Sequence, residues 1–179
     1  GSEMCIRDSD VVSGYYDGDT RLLWLGTYDR GLITVDGKGM AVNVKGIPQY
    51  PVRSIVAYDN STMLVGVDGC GVYQASRLPS VKDTASVLFN ANDGENGVLH
   101  GNGIYALLVD AWRDIFVGSY SGGIDMARPV GNTVKTYTHQ RNNPRTLLND
   151  HVNCVAQLSS STLAIGTDDG ISILNPLTG

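Results

Sequence analysis

Leu22-Leu23-Trp24-Leu25-Gly26-Thr27-Tyr28-Asp29-Arg30-Gly31-Leu32-Ile33-Thr34-Val35-Asp36 is the stretch that decides the fold, because it returns three times. Its copies are Met63-Leu64-Val65-Gly66-Val67-Asp68-Gly69-Cys70-Gly71-Val72-Tyr73, Ile115-Phe116-Val117-Gly118-Ser119-Tyr120-Ser121-Gly122-Gly123-Ile124-Asp125 and Leu163-Ala164-Ile165-Gly166-Thr167-Asp168-Asp169-Gly170-Ile171-Ser172-Ile173. The shared glycines are Gly26, Gly66, Gly118 and Gly166, spaced by 40, 52 and 48 residues. Propeller blades repeat at about 40 to 50 residues.

Working outward, each copy has the same neighbours. An apolar strand precedes it: Val11 to Tyr16, Val52 to Tyr58, Ile104 to Val109 and Val152 to Leu158. A polar turn follows, as in Asp17-Gly18-Asp19 or Asp59-Asn60-Ser61, made of residues that bond their own backbone. The quoted strand then ends near its glycine, and a second tight turn leads to a third, alternating strand. A fourth strand is expected around Ala41 to Val44, Ser86 to Phe89 and Val134 to Tyr137, and the last unit stops after its third. Four antiparallel strands in series make a propeller blade. No segment carries a helical period. The expectation is an all-β chain, a partial propeller of about four blades, with units at about 10–50, 51–99, 100–149 and 150–179.

Residues 1–9 stand apart. Gly1-Ser2 reads as a cloning scar, and Met4 to Ser9 as a translated sequencing adapter. The alternative is a short strand around Cys5 and Ile6.

Composition narrows the function. The 179 residues carry 13 Lys and Arg against 18 Asp and Glu, a net charge of −5, which speaks against a general nucleic-acid binder. Hydrophobic residues make up 42% and charged ones 17%, as core-forming chains require. Gly is high at 22, in keeping with many tight turns. No apolar run approaches the roughly 18 residues of a membrane span. Cys5, Cys70 and Cys154 are too scattered for a disulfide framework or zinc site, and buried free thiols are expected.

The repeat and its connector resemble a known family. Leu23-Trp24-Leu25-Gly26-Thr27 followed by Gly31-Leu32 resembles the repeat of two-component regulator propellers. The run Thr138-His139-Gln140-Arg141-Asn142-Asn143-Pro144-Arg145-Thr146-Leu147-Leu148-Asn149-Asp150-His151-Val152 resembles the connection between its blades. Residues from about 10 to 179 fit. The resemblance implies a periplasmic sensor segment, with a membrane helix, kinase and DNA-binding output elsewhere, and in many members an oligosaccharide signal. The second unit departs, with Gly66-Val67 in place of Gly-Thr or Gly-Ser. Its connection from Asn90 to Gly103 also lacks the Asn-Pro signal.

Catalytic motifs are scarce. Gly118-Ser119-Tyr120-Ser121-Gly122 has Tyr120 where a nucleophile elbow needs Ser. No H-E-x-x-H pair exists. Asn90 to Glu95 is oxygen-rich but breaks the order of a calcium loop, and reads as a polar loop. No cofactor or metal is expected. Trp24 belongs in the core, whereas Trp112 sits in a turn between strands as an exposed or half-covered cap.

In a propeller, two loop sets meet on one face about the axis, and function concentrates on loops held by a rigid scaffold. Those joining blades carry Tyr50, Arg53, His100, Asn102, Asn149 and His151. Those joining second and third strands carry Tyr28, Asp29, Arg30, Asp68, Tyr120, Ser121, Asp168 and Asp169. From these, Tyr28, Asp29, Arg30, His100, Asn102, Tyr120, Asn149 and His151 are the candidate ligand contacts. Amides bond hydroxyls and tyrosine faces stack on sugar rings, which suits an oligosaccharide. The inner strands offer few acids, so a binding module is favoured over a lyase- or lactonase-like propeller enzyme; an interaction scaffold is a third reading. An open arc would leave two apolar faces, so self-association or packing on further blades is expected.

Overall fold

The computed structural model describes residues 9–92, 98–128 and 133–178. Among them are fifteen strands and no helix. They form four antiparallel sheets. The first holds β1 (Val11–Asp17), β2 (Leu22–Thr27), β3 (Leu32–Val35) and β4 (Ala41–Asn43) in chain order. The second holds β5 (Val52–Ala57), β6 (Thr62–Val67), β7 (Gly71–Ser76) and β8 (Ser86–Phe89). The third holds β9 (Ile104–Val109), β10 (Ile115–Ser119), β11 (Ile124–Arg128) and β12 (Thr133–Tyr137). The fourth has only β13 (Val152–Ser159), β14 (Thr162–Thr167) and β15 (Gly170–Leu174), so β15 is an edge.

These sheets are propeller blades. The inner strands β1, β5, β9 and β13 contact one another in series, and the first and fourth sheets do not close on each other. The described residues therefore form an open arc, a partial propeller.

Each inter-blade core follows from the period of two. On β6, Met63, Val65 and Val67 face the first blade, where they bury Trp24, Leu32 and Val44. The alternate residue Leu64 faces the third blade, with Val72, against Ile104, Ile115 and Val117. Phe116, Ile124 and Met126 then meet Val152, Leu163 and Ile165 of the fourth. Each such fully buried side chain is worth roughly 1.5–3 kcal/mol.

The repeated glycine is where one blade receives the next. A Cβ at Gly66 would lie 2.6 Å from Ile104 Cγ2, and one at Gly118 2.5 Å from Val152 Cγ1. At Gly26 the neighbours are Val52 O and, at 2.9 Å, Val52 Cγ1. The β-branched residue that opens each inner strand thus sits on the glycine of the blade before it. The residues paired with these glycines are also small: Ser13, Ser54, Ala106 and Cys154. Ser13 Oγ donates to Val52 O at 2.6 Å, and Leu107 N donates to Ser54 Oγ at 2.9 Å, tying blades together.

At the opposite end of the sheets, Arg77 of the second blade clamps Asp17 of the first. Its Nε and Nη2 donate to the two carboxylate oxygens at 2.6 and 2.7 Å. Nη2 also meets Asp19 at 2.7 Å, and Nη1 donates to Asp59 O at 3.1 Å. Both Asp17 and Arg77 are buried, so the charges are well paired where water cannot screen them.

Trp24 is fully buried and Trp112 exposed, as expected of each. The cysteines need a correction. Cys70 and Cys154 are free, but Cys70 is only half-buried and Cys154 is exposed, because it lies on the uncovered face of the last blade. Cys5 and the first eight residues lie outside the described residues, as do Asp93 to Glu95 of the calcium-like run.

Candidate functional site

Every inner strand has a β-bulge directly after its opening residue. The pairing skips Val12 between Val11 and Ser13, Arg53 between Val52 and Ser54, Tyr105 between Ile104 and Ala106, and Asn153 between Val152 and Cys154. The opening residue stays buried in the inter-blade seat, except at Val11. The small residue two places on stays opposite the glycine. The extra residue between them is re-aimed, as bulges beside functional sites do.

The second loop set is built by an equally regular device. Thr27, Ser119 and Thr167 follow the shared glycine, and their hydroxyls bond back to Gly31 O at 2.8 Å, Gly123 O at 3.4 Å and Gly170 O at 3.0 Å. Val67 breaks this pattern and closes its turn through the backbone, with Cys70 N donating to Val67 O at 3.1 Å. The next residue in three blades is tied to the residue before the inner strand. Tyr28 N donates to Asp10 O, Asp68 N to Pro51 O and Tyr120 N to Gly103 O, each at 2.9 Å. The second, third and fourth blades each present two neighbouring side chains on one rim: Arg53 with Asp68, Tyr105 with Tyr120, and Asn153 with Asp168.

Across three blades these side chains join into one row. Arg53 Nε pairs with Asp68 Oδ2 at 3.1 Å, and its guanidinium carbon lies 4.5 Å from the Tyr105 ring centroid. Tyr105 and Tyr120 rings follow at 5.4 Å, tilted by 33°. Tyr120 stacks on His151 at 4.3 Å and 18°. His151 Nδ1 meets Asp168 Oδ2 at 3.0 Å, and Asn153 Nδ2 donates to Asp168 Oδ1 at 2.7 Å. His151 is positioned by its backbone N–H, which bonds Asn149 Oδ1 at 2.8 Å, and Asn149 Nδ2 holds Asp169 at 2.8 Å.

Electrostatics follow from these contacts. Hydrogen bonds from Asn153 and His151 hold the Asp168 carboxyl below the usual range, so it stays ionised. Burial, helped by the Asp68 charge, pushes the Tyr105 phenol up, so it remains neutral. The row is an aromatic platform with an Arg53–Asp68 pair at one end and an ionised carboxylate at the other.

Of the candidate contacts, the fold brings Tyr120, Asn149 and His151 to this row. Tyr28, Asp29 and Arg30 occupy the corresponding turn of the first blade. Among the described residues no hydrogen bond, ion pair or ring contact joins the Tyr28 or Arg30 side chain to the row, and Asp29 meets only Ser9 Oγ at 3.5 Å. The His100 backbone N–H donates to buried Asp125 at 2.7 Å, Asn102 Oδ1 accepts Ala91 N at 2.6 Å, and among the described residues no hydrogen bond, ion pair or ring contact joins either side chain to the row. Tyr105 and Asn153 are the residues that loop reasoning missed. The signal for them is the spacing Val/Ile-x-small, present as Val52-Arg53-Ser54, Ile104-Tyr105-Ala106 and Val152-Asn153-Cys154.

No protein-family model matches the chain, and no curated protein matches it. Solved structures do. The chain is similar to the extracellular domain of the hybrid two-component system BT3049 of B. thetaiotaomicron, at 16% identity and a TM-score of 0.76, over 95% of this chain and 22% of that one. It is similar to the extracellular domain of BT4673, a hybrid two-component system of the same organism, at 17% identity and a TM-score of 0.70, over 91% of this chain and 21% of that one. The WD40 domain of Neurospora crassa Pan2 matches at 15% identity and a TM-score of 0.63, over 95% of this chain and 48% of that one. At these identities the shared property is the propeller fold. The chain spans about a fifth of the two extracellular domains.

Proposed function

We propose that this chain is a non-catalytic, ligand-binding segment of an extracytoplasmic two-component sensor, and that its rim takes an oligosaccharide. The observation that carries the reading is the continuous row Arg53–Tyr105–Tyr120–His151, bounded by Asp68 and Asp168. Sugar rings present apolar C–H faces and a rim of hydroxyls. Tyrosine and imidazole faces cover the first, while Arg53, Asn153 and the carboxylates bond the second. Binding rather than turnover is favoured by the state of the acids. Asp168 is held ionised by two hydrogen-bond donors and so is not poised as a general acid, and Asp68 is paired with Arg53. The similarity to extracellular domains of two-component systems supports the sensor context and a periplasmic location.

Calorimetric titration of the chain with a panel of neutral and acidic oligosaccharides tests the reading. Tyr105→Ala and Tyr120→Ala should each weaken binding about tenfold, which is about 1.4 kcal/mol, while Trp112→Ala leaves it unchanged. An oligosaccharide that binds all three variants equally would place the site elsewhere. Failure of the whole panel would remove the ligand class.

A further inference from the structure

We propose that the cleft between the third and fourth blades, at the end of the sheets opposite the aromatic row, binds a guanidinium cation such as an arginine side chain carries. Asp110, Trp112, Asp114, Arg128 and Leu177 line this cleft, whose volume is about 280 Å³. The inference rests on the repeat. One blade junction holds a complete acid–guanidinium clamp, and another holds the same acid without its arginine.

Asp17 and Asp110 are the same residue of the first and third blades. Asp17 pairs with Leu22, four residues before Gly26, and Asp110 N donates to Asp114 O, four before Gly118. Each carboxylate closes the turn that follows it in the same way. Asp17 Oδ1 accepts Asp19 N at 3.1 Å, and Asp110 Oδ1 accepts Trp112 N at 2.9 Å, two residues on in both. Asp110 Oδ1 also accepts Asp114 N at 2.9 Å. Both acids are buried, Asp110 at 8% exposure. They differ at the second oxygen. Asp17 Oδ2 accepts Arg77 Nε at 2.6 Å. Among the described residues no hydrogen bond or ion pair reaches Asp110 Oδ2.

The reason is one residue of the next blade. Arg77 stands five places after Val72, the partner of Gly66, and the residue five places after Ile171, the partner of Gly166, is Pro176. Proline brings neither charge nor donor. At the junction between the second and third blades the same inner position is Tyr58, whose N donates to Thr62 O, four residues before Gly66. A guanidinium meets it there too, with Arg113 Cζ 5.5 Å from the ring centroid.

The surroundings of Asp110 suit the same cation. Arg128 Nε donates to Asp114 Oδ2 at 2.9 Å, so that pair is matched and Asp110 is the carboxylate left over. A buried carboxylate is costly until a charged donor meets it, and such bonds are the strong ones. Trp112 is 60% exposed and lines the same cleft. An indole face attracts a cation within about 6 Å of its centroid. A guanidinium is flat, so it can donate in its plane to a carboxylate and stack by its face on the indole, which a compact ammonium does less well. The turn beside the cleft directs the chain away from Asp110. Leu177 N bonds Asn175 Oδ1 at 3.0 Å and Thr178 N bonds Asn175 O at 3.2 Å. Lys38 N and Gly39 N bond Asp36 in the same way, each at 2.9 Å, in the turn that returns β3 into β4 on the outer side of its sheet.

Titration with N-acetyl-arginine amide, followed by tryptophan fluorescence, tests the proposal. Trp24 is fully buried, so Trp112 is the tryptophan that reports. A saturable change in emission is expected, and the neutral isostere N-acetyl-citrulline amide should bind at least tenfold more weakly. Asp110→Asn keeps the Oδ1 that closes the turn and should raise the dissociation constant at least tenfold; Trp112→Ala should weaken binding in calorimetry. Pro176→Arg reproduces the arrangement of Arg77 on Asp17. It should raise the melting temperature and block the amide, and both effects should disappear when Asp110→Asn is added. A short arginine-containing peptide, run beside the amide, separates the sources: equal affinity marks a small solute, and at least tenfold tighter binding marks a polypeptide. Absence of saturable binding by both arginine probes overturns the proposal. So does equal binding of the arginine and citrulline amides, or an affinity that Asp110→Asn leaves unchanged.

Discussion

Gly118 and Gly166 occupy the same place in the repeat and have different surroundings. Gly118 touches Val152 of the next blade, so a valine there must displace a fully buried neighbour. Overpacking of this kind costs about 1–3 kcal/mol. Gly118→Val should therefore lower the melting temperature by several degrees. Gly166→Val meets an exposed thiol that can rotate away, so its cost to folding should be much smaller. Thermal melts of the two variants, side by side, check this. Equal losses would mean that the glycine serves only its own sheet. A different requirement acts at the glycines that open the third strands. Gly71 and Gly123 have φ of 93° and 72°, and a Cβ on either would run into the carbonyl oxygen of Phe89 or Tyr137.

Blades are joined by more than apolar seats. The Asp17–Arg77 clamp holds the first blade to the second at the end opposite the aromatic row. Removing one partner of a buried pair leaves an uncompensated charge, which costs about 3–5 kcal/mol. Arg77→Met should therefore destabilise the chain by an amount in that range. The double variant Asp17→Asn, Arg77→Met should recover part of the loss, since no charge is then stranded. Urea denaturation of the single and double variants decides this. A double variant no better than the single one would mean that Arg77 matters mainly through its bonds to Asp19 and Asp59 O.

For the whole molecule, acid stability sums carboxylates pushed in opposite directions. The Arg77 guanidinium lowers Asp17 from 3.8 to about 2. The folded chain therefore binds its proton less readily than the unfolded chain. That stabilisation is complete above about pH 4 and is lost as pH falls toward 2, and it amounts to about 2 kcal/mol. Burial raises Asp125 instead, against hydrogen bonds from Thr136 and from His100 N. The sign reverses there: protonation of Asp125 favours the folded state, so its contribution improves as pH falls through its raised value. Melting temperature measured from pH 7 to pH 2.5 should fall on acidification. Asp17→Asn should flatten the steep part below pH 4, and Asp125→Asn should leave that part in place. An unchanged acid limb in Asp17→Asn would assign it to other carboxylates.

The repeat was legible because it is a local pattern. Glycine, apolar alternation and turn residues recur at blade spacing, and those features alone set strand, turn and sheet. The fifteen strands lie close to where periodicity puts them, and the missing fourth strand of the last unit could also be read. The residue types of the rim were legible too, since loops that meet at an axis can be listed from strand order. Its membership was not. Tyr105 belongs to an inner strand by pattern, and only the bulge after Ile104 turns it toward Tyr120 and Arg53. Asn102 and His100 read as loop ligands; Asn102 Oδ1 accepts Ala91 N and the His100 backbone N–H bonds Asp125, contacts between segments that sequence spacing does not bring together. The exposure of Cys154 was hidden for the same reason. A thiol in an apolar strand is buried when a next blade covers it, and whether one does is a property of the arc rather than of the strand.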